Sequence, residues 1–164
     1  KIRGKSHNIV IGQNVNFMGS IDLRNRENGK IIIGDNVVIE EYSRFVAAKD
    51  SIIKIGDYTK IGAYAVWNGG ADINVGKKCI FAMRSSINSN EHKTEKNIYV
   101  QDQGFRYGEV IIEDDCLMGV NVSINKGVKI SKGSIVGANS VITKDTEKYS
   151  INAGAPSRFL SYRN

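Results

Sequence analysis

From Ile11 to Glu147 the chain returns every six residues to a large aliphatic or aromatic side chain, followed by a small or turn-forming residue. Ile33-Gly34-Asp35-Asn36-Val37-Val38, Ile55-Gly56-Asp57-Tyr58-Thr59-Lys60, Met118-Gly119-Val120-Asn121-Val122-Ser123 and Val136-Gly137-Ala138-Asn139-Ser140-Val141 share one template. The large apolar residue comes first, Gly is often second, and the fifth position is small or β-branched. This period belongs neither to an amphipathic helix nor to a simple alternating strand.

The hexads group in threes, as they do when each forms one flat side of a triangular coil and three sides close one turn of a solenoid. Side one stacks Ile11, Ile33, Ile55, Val75, Ile112 and Ile130; side two stacks Phe17, Ile39, Ile61, Phe81, Met118 and Val136. Side three stacks Leu23, Phe45, Trp67, Ile87, Ile124 and Ile142. The fifth positions, among them Val15, Val37, Thr59, Ala65, Val122, Ser134 and Ser140, are small where the wall turns inward. Coils then stack at the spacing of paired strands, ~4.8 Å. Periodicity alone leaves the handedness open.

Successive side-one starts are 22, 22, 20, 37 and 18 residues apart, so every insertion beyond eighteen falls between side three and the next side one. One corner therefore carries Arg24 to Lys30, Ala47 to Lys54, Asn68 to Asn74 and the long loop 88–110. In a regular solenoid, a single edge bearing all the irregular loops is the expected functional edge.

The pattern resembles the hexapeptide-repeat acyltransferases. Val136-Gly137-Ala138-Asn139-Ser140-Val141-Ile142-Thr143-Lys144, followed by Asn152-Ala153-Gly154-Ala155-Pro156-Ser157-Arg158, is similar to their sugar O-acetyltransferase branch, typified by maltose, galactoside and polysaccharide O-acetyltransferases. The resemblance implies an all-β fold, a left-handed parallel β-helix of about six triangular coils. One domain spans residues 1–164, with a solenoid over about 9–147, an extruded loop 88–110 and a C-terminal tail 148–164. It also implies a homotrimer using acetyl-CoA, with active sites in the clefts between chains.

Of the two histidines, His7 precedes the first hexad and reads as an exposed terminal residue. His92 lies in the run Ile87-Asn88-Ser89-Asn90-Glu91-His92, at the edge where the resembled family carries its catalytic histidine. A neutral imidazole suits the removal of a hydroxyl proton near neutral pH. Its orienting partner is open among Glu91, Glu95, Asp102 and a backbone carbonyl. Gly119, Gly137 and Ala138 present little side chain, and a pantetheine arm lying against the backbone requires such a wall. By resemblance, Ala138 and Thr143 contact the pantetheine and adenosine ends, Lys144 and Arg158 meet the phosphates, and Pro156 redirects the chain from the solenoid toward the coenzyme. Where many relatives carry Trp before the Gly119 motif, this chain has Leu117-Met118. For the acceptor, Asn68, Arg84 and Asn90 are nominated, their amides and guanidinium suiting sugar hydroxyls or a carboxylate. Trp67 reads as core.

Composition narrows the alternatives. With 164 residues, 41% hydrophobic, the chain supports one extended core. No apolar run approaches the ~18 residues of a membrane span and no charged-then-apolar leader is seen, so a soluble, cytoplasmic protein is expected. The net charge of +6 comes from scattered Lys and Arg without interleaved aromatics, which argues against nucleic acid and for small polyanions or an acidic acceptor. Two histidines are too few for the three-histidine zinc site of a carbonic anhydrase on this fold, so no metal is expected. Cys79 and Cys116 occupy fifth positions of side one in consecutive coils and read as stacked packing thiols. The activity expected is acetyl-CoA-dependent transfer to a hydroxyl of a sugar or cell-surface glycan. The alternatives are N-acetylation of an amino nucleotide-sugar and acetylation of a xenobiotic such as chloramphenicol.

Overall fold

The computed structural model describes all 164 residues. Three mainly parallel sheets of six, seven and eight strands run along one axis and form the sides of a triangular solenoid. Side one pairs Ile11, Ile33, Ile55, Val75, Ile112 and Ile130 in register. Side two pairs Phe17, Ile39, Ile61, Phe81, Met118 and Val136. Side three pairs Leu23, Phe45, Trp67, Ile87, Ile124 and Ile142. The inward ladders are those expected from the hexads, because only residues of equal phase in consecutive coils can share one buried row.

The three ladders meet in one core. Trp67 is fully buried between Phe45 and Phe81, with ring centroids 4.7 and 4.9 Å away, and its Nε1 donates to Ser85 Oγ at 3.2 Å. At the N-terminal end no strand stacks below the first strands of sides one and two, so Ile11 is 42% exposed and Phe17 only half-buried. Cys79 and Cys116 are buried free thiols. Their Sγ atoms donate to the carbonyls of Glu113 (3.2 Å) and Ser131 (3.3 Å). The neighbouring Cys79 thiol, followed by burial, pushes the Cys116 thiol far above its ordinary range. Such a thiol supplies no thiolate near neutral pH.

Each coil turns at three corners: the first joins side one to side two, the second joins two to three, and the third joins three to the next side one. At the first two corners the fourth hexad position is commonly left-handed, as at Asn36 (φ 55°), Tyr58 (φ 61°), Arg84 (φ 62°) and Asn139 (φ 58°). Where Gly stands at the second position, the next coil comes close. A Cβ on Gly119 would lie 2.6 Å from Ala138 N and 2.9 Å from Ala138 Cα. Gly119 is thus required by coil stacking, and Gly119→Ala is expected to lower unfolding stability by about 1–3 kcal/mol through forced separation of the coils. A loss well below that range in urea titration would show that the contact relaxes freely.

Both ends depart from the expected boundaries. Ile2–Arg3 already pairs with side three, ahead of residue 9. Ser150–Gly154 continues side two in parallel beyond Ile135–Val136, with Asn152 in the ladder slot after Val136. Ser157–Tyr162 then folds back antiparallel on it. Residues 148–164 therefore form a closing hairpin, and Pro156 in its turn keeps the chain on the solenoid instead of directing it away. The pairing explains this: the last coil offers unpaired backbone that the segment satisfies. No helix is long and apolar enough to cross a membrane.

Candidate active site

The third corner carries the insertions, and the longest of them is an ordered arm. Asn90–His92 pairs antiparallel with Phe105–Tyr107, matching Asn90 to Tyr107, Glu91 to Arg106 and His92 to Phe105. Ser89, wholly buried at the base, accepts from Gly70 N and Ala71 N, both at 3.0 Å, and donates to Ala71 O at 2.7 Å. Further out, the Gln103 amide bonds Glu95 N at 2.6 Å and Ile98 O at 2.7 Å, tying the loop to itself.

Strand alternation separates His92 from Glu91. Glu91 turns to Lys126, 3.3 Å away, while the exposed His92 ring packs on Phe105 with centroids 4.2 Å apart. The imidazole has no hydrogen-bond partner within the chain. None of Glu91, Glu95 and Asp102 bonds to it, and the ring rests against Phe105.

His92 opens into a cleft of about 450 Å³ that also receives Asn68, Asn88, Asn90, Arg26, Lys49 and Tyr107. Asn68 Nδ2 donates to Asn88 Oδ1 at 3.0 Å, one step of an outward amide row on side three. Asn68 and Asn90 are thus brought together with His92. Arg84 is not among the lining residues. It occupies the left-handed position of the second corner, a different edge of the prism, because it stands three residues after the ladder residue Phe81. Arg26, Lys49, Phe105 and Tyr107 were not singled out in the sequence. Their signal was available, since Arg26 and Lys49 lie in the third-corner insertions, and Phe105-Arg106-Tyr107 alternates as a short strand does.

The residues nominated for coenzyme divide between two places. Lys144 and Arg158 line a polar cleft of about 310 Å³ between the end of side three and the closing hairpin, together with Thr146, Asn152 and Ser157; Thr143 leads into it. Gly119, Gly137 and Ala138 lie along the second corner. The hairpin turn that holds Pro156 is tied to that corner, since Gly154 N donates to Ser140 Oγ at 3.0 Å and Ser140 Oγ donates to Gly137 O at 2.7 Å. Beside this corner the outward row of side two is apolar: Ile80, Leu117, Ile135 and Ile151 pair in sequence, and Ile80, Leu117, Met83 and Val120 are exposed. No cluster of three or more His, Cys, Asp or Glu is placed to hold a metal.

Residues 109–144 match the family model described as the hexapeptide repeat of succinyl-transferase. Over that stretch the chain is similar to hexapeptide-repeat acyltransferases. It is 27% identical over 157 residues to a probable acetyltransferase of Mycobacterium tuberculosis, covering 94% of this chain and 50% of that protein. To the dTDP-4-amino-4,6-dideoxy-D-glucose acyltransferase of Escherichia coli it is 28% identical over 160 residues, covering 94% of this chain and 82% of the relative. The chain thus spans half the length of the first relative and most of the second. The solved polysialic acid O-acetyltransferase superposes with a TM-score of 0.74 at 21% identity, over 98% of this chain and 84% of the other. That likeness is one of fold, the left-handed parallel β-helix of these acyltransferases. Other solved chains of the fold hold coenzyme A or an acyl-CoA.

Proposed function

We propose that this protein is an acetyl-CoA-dependent O-acetyltransferase that acetylates a hydroxyl of a sugar or cell-surface glycan, with His92 as general base. The observation that carries the reading is the third-corner cleft, where an unpaired, solvent-open imidazole faces a row of side-chain amides. His92 takes the proton of the sugar hydroxyl, and the oxygen attacks the thioester carbonyl as the new C–O bond forms. The tetrahedral intermediate collapses with cleavage of the C–S bond, and the imidazolium returns its proton to the departing thiolate. Neither cysteine takes part, as both thiols are buried in the wall. Asn68 and Asn90 serve the acceptor, their amides matching hydroxyls as donors and acceptors. Release of coenzyme A across a panel of glycan acceptors tests the reading; no acceptor-dependent release would refute it.

The same reading takes the working unit as a homotrimer. His92 and the Gly119, Gly137 and Ala138 row stand on different edges of one prism, so a thioester lying along the second corner reaches a histidine only if another chain supplies it. The exposed apolar side chains of Ile80, Leu117, Met83 and Val120 support such packing, because apolar surface of this kind gains by burial.

Lys144 and Arg158 are assigned to the coenzyme phosphates, with Thr143 and Pro156 near the nucleotide end. Lys144→Ala or Arg158→Ala should raise KM for acetyl-CoA by about 10-fold or more, each charge-assisted contact contributing ~1.5–3 kcal/mol, with a smaller change in kcat. The effect should vanish with a truncated acetyl thioester lacking the nucleotide, and equal impairment with that donor would contradict the assignment.

A second reading, N-acylation of an amino nucleotide-sugar, is supported by the Escherichia coli relative, most of whose length the chain covers. The base then removes the proton of an ammonium group. Matched amino and hydroxy acceptors distinguish the two.

A further inference from the structure

We infer that the acceptor is an anionic sugar whose carboxylate or phosphate is held by Arg26 and Lys49; this rests on the acyltransferase reading of the third-corner cleft. The cleft contains four charged side chains, Arg26, Glu27, Lys49 and Glu91. Glu91 is taken by Lys126. Neither Arg26 nor Lys49 has an ion pair or side-chain hydrogen bond to a carboxylate. Glu27 is the remaining acid, against two free cations.

Lys49 is held in place without being neutralised. Its ammonium lies 4.1 Å over the centroid of the Tyr107 ring, and Tyr107 pairs with Asn90 on the arm that carries His92. An aromatic face steadies a cation while leaving its charge for a ligand. Arg26 adds a planar fork of donors suited to a carboxylate or phosphate. Both cations thus share one open cleft with the base, the amides of Asn68, Asn88 and Asn90, and two acids, of which Glu91 is paired with Lys126.

Position narrows the ligand further. Arg26, Lys49, Gly70 and Asn90 occupy the third corner of successive coils, linked by Arg26 N to Ala47 O (2.8 Å) and Ala48 N to Gly69 O (2.8 Å). At ~4.8 Å per coil, Lys49 lies about 10 Å and Arg26 about 14 Å along the axis from Asn90. These are backbone spacings, and the Lys49 side chain reaches back across them to the Tyr107 ring beside Asn90. The two cations are therefore strung along the third corner, and an acceptor whose anion meets both lies lengthwise along it.

The experiment uses acceptor pairs that differ in charge: oligogalacturonate against its methyl ester, and UDP-N-acetylglucosamine against N-acetylglucosamine. The expected result is a kcat/KM at least 10-fold higher for the charged member of one pair, a preference that shrinks with added salt. In Arg26→Gln/Lys49→Gln the ratio should fall toward one through KM, and Arg26→Lys/Lys49→Arg should restore part of it. Which pair responds separates a carboxylated polymer from a nucleotide-linked sugar. Equal use of charged and neutral members by the wild type, or an undiminished ratio in the double Gln variant, overturns the inference while leaving acyl transfer intact. Should no acceptor release coenzyme A, the acyltransferase reading fails separately, and calorimetric binding of oligogalacturonate and UDP-N-acetylglucosamine decides the anion site. Charge-dependent binding lost in the double Gln variant sustains it, and no binding to the wild type refutes it.

Discussion

His92→Ala is expected to lower kcat by ~10²-fold or more while leaving the affinity for acetyl-CoA in place, because the imidazole is the cleft's only histidine side chain and no group of the chain bonds its ring nitrogens. The folded state should barely notice. His92 is exposed on a two-stranded arm, where its ring packs on that of Phe105 with centroids 4.2 Å apart. Phe105→Ala should reduce kcat less than His92→Ala, since it removes what the ring rests against and not the base itself. Steady-state rates with coenzyme A release as the readout, alongside thermal unfolding of each variant, separate chemistry from folding. Near-normal turnover in His92→Ala would remove the base assignment and with it the mechanism.

The largest expected effect on stability is that of Trp67→Ala. The indole fills the middle of the core between Phe45 and Phe81, and its truncation leaves a cavity that two stacked ladders cannot close; about 3–5 kcal/mol should be lost. Ser85 Oγ also loses the donor that reaches it at 3.2 Å. Since each coil is stabilised chiefly by its neighbours, damage to a central coil weakens the coupling of the two halves, and the urea transition should broaden as well as shift. Trp67→Phe should lie between. A loss below about 1 kcal/mol would mean that Trp67 faces a space able to collapse.

Much of the molecule was legible before any coordinates. The ladder residues from Leu23 to Ile142 pair as the six-residue period requires, and Cys79 and Cys116 fall in the buried wall where their hexad position puts them. Arg84 stands apart from its own chain's cleft for a reason visible in its register: three residues after a ladder residue of side two is a second-corner position, on a different edge from the third. The closing hairpin was missed because Asn152, a polar residue, takes the slot after Val136, so the apolar period ends one strand before the sheet does. At Gly119 the small residue was read as room for a ligand, and coil stacking requires it as well, since a Cβ there would meet the backbone of Ala138.

The sequence by itself determined the solenoid, its three inward ladders and the single corner that collects the insertions, because a repeated burial requirement leaves a repeated chemical pattern. It also singled out His92, the one histidine in those insertions. Which polar residues meet His92 was decided only by the tertiary structure. Stacking turns separations of about twenty residues into neighbouring coils, bringing Arg26, Lys49, Asn68 and Asn90 to one edge. The antiparallel pairing of the arm then turns His92 toward Phe105 and Glu91 toward Lys126, a choice of face that depends on strand register and not on composition.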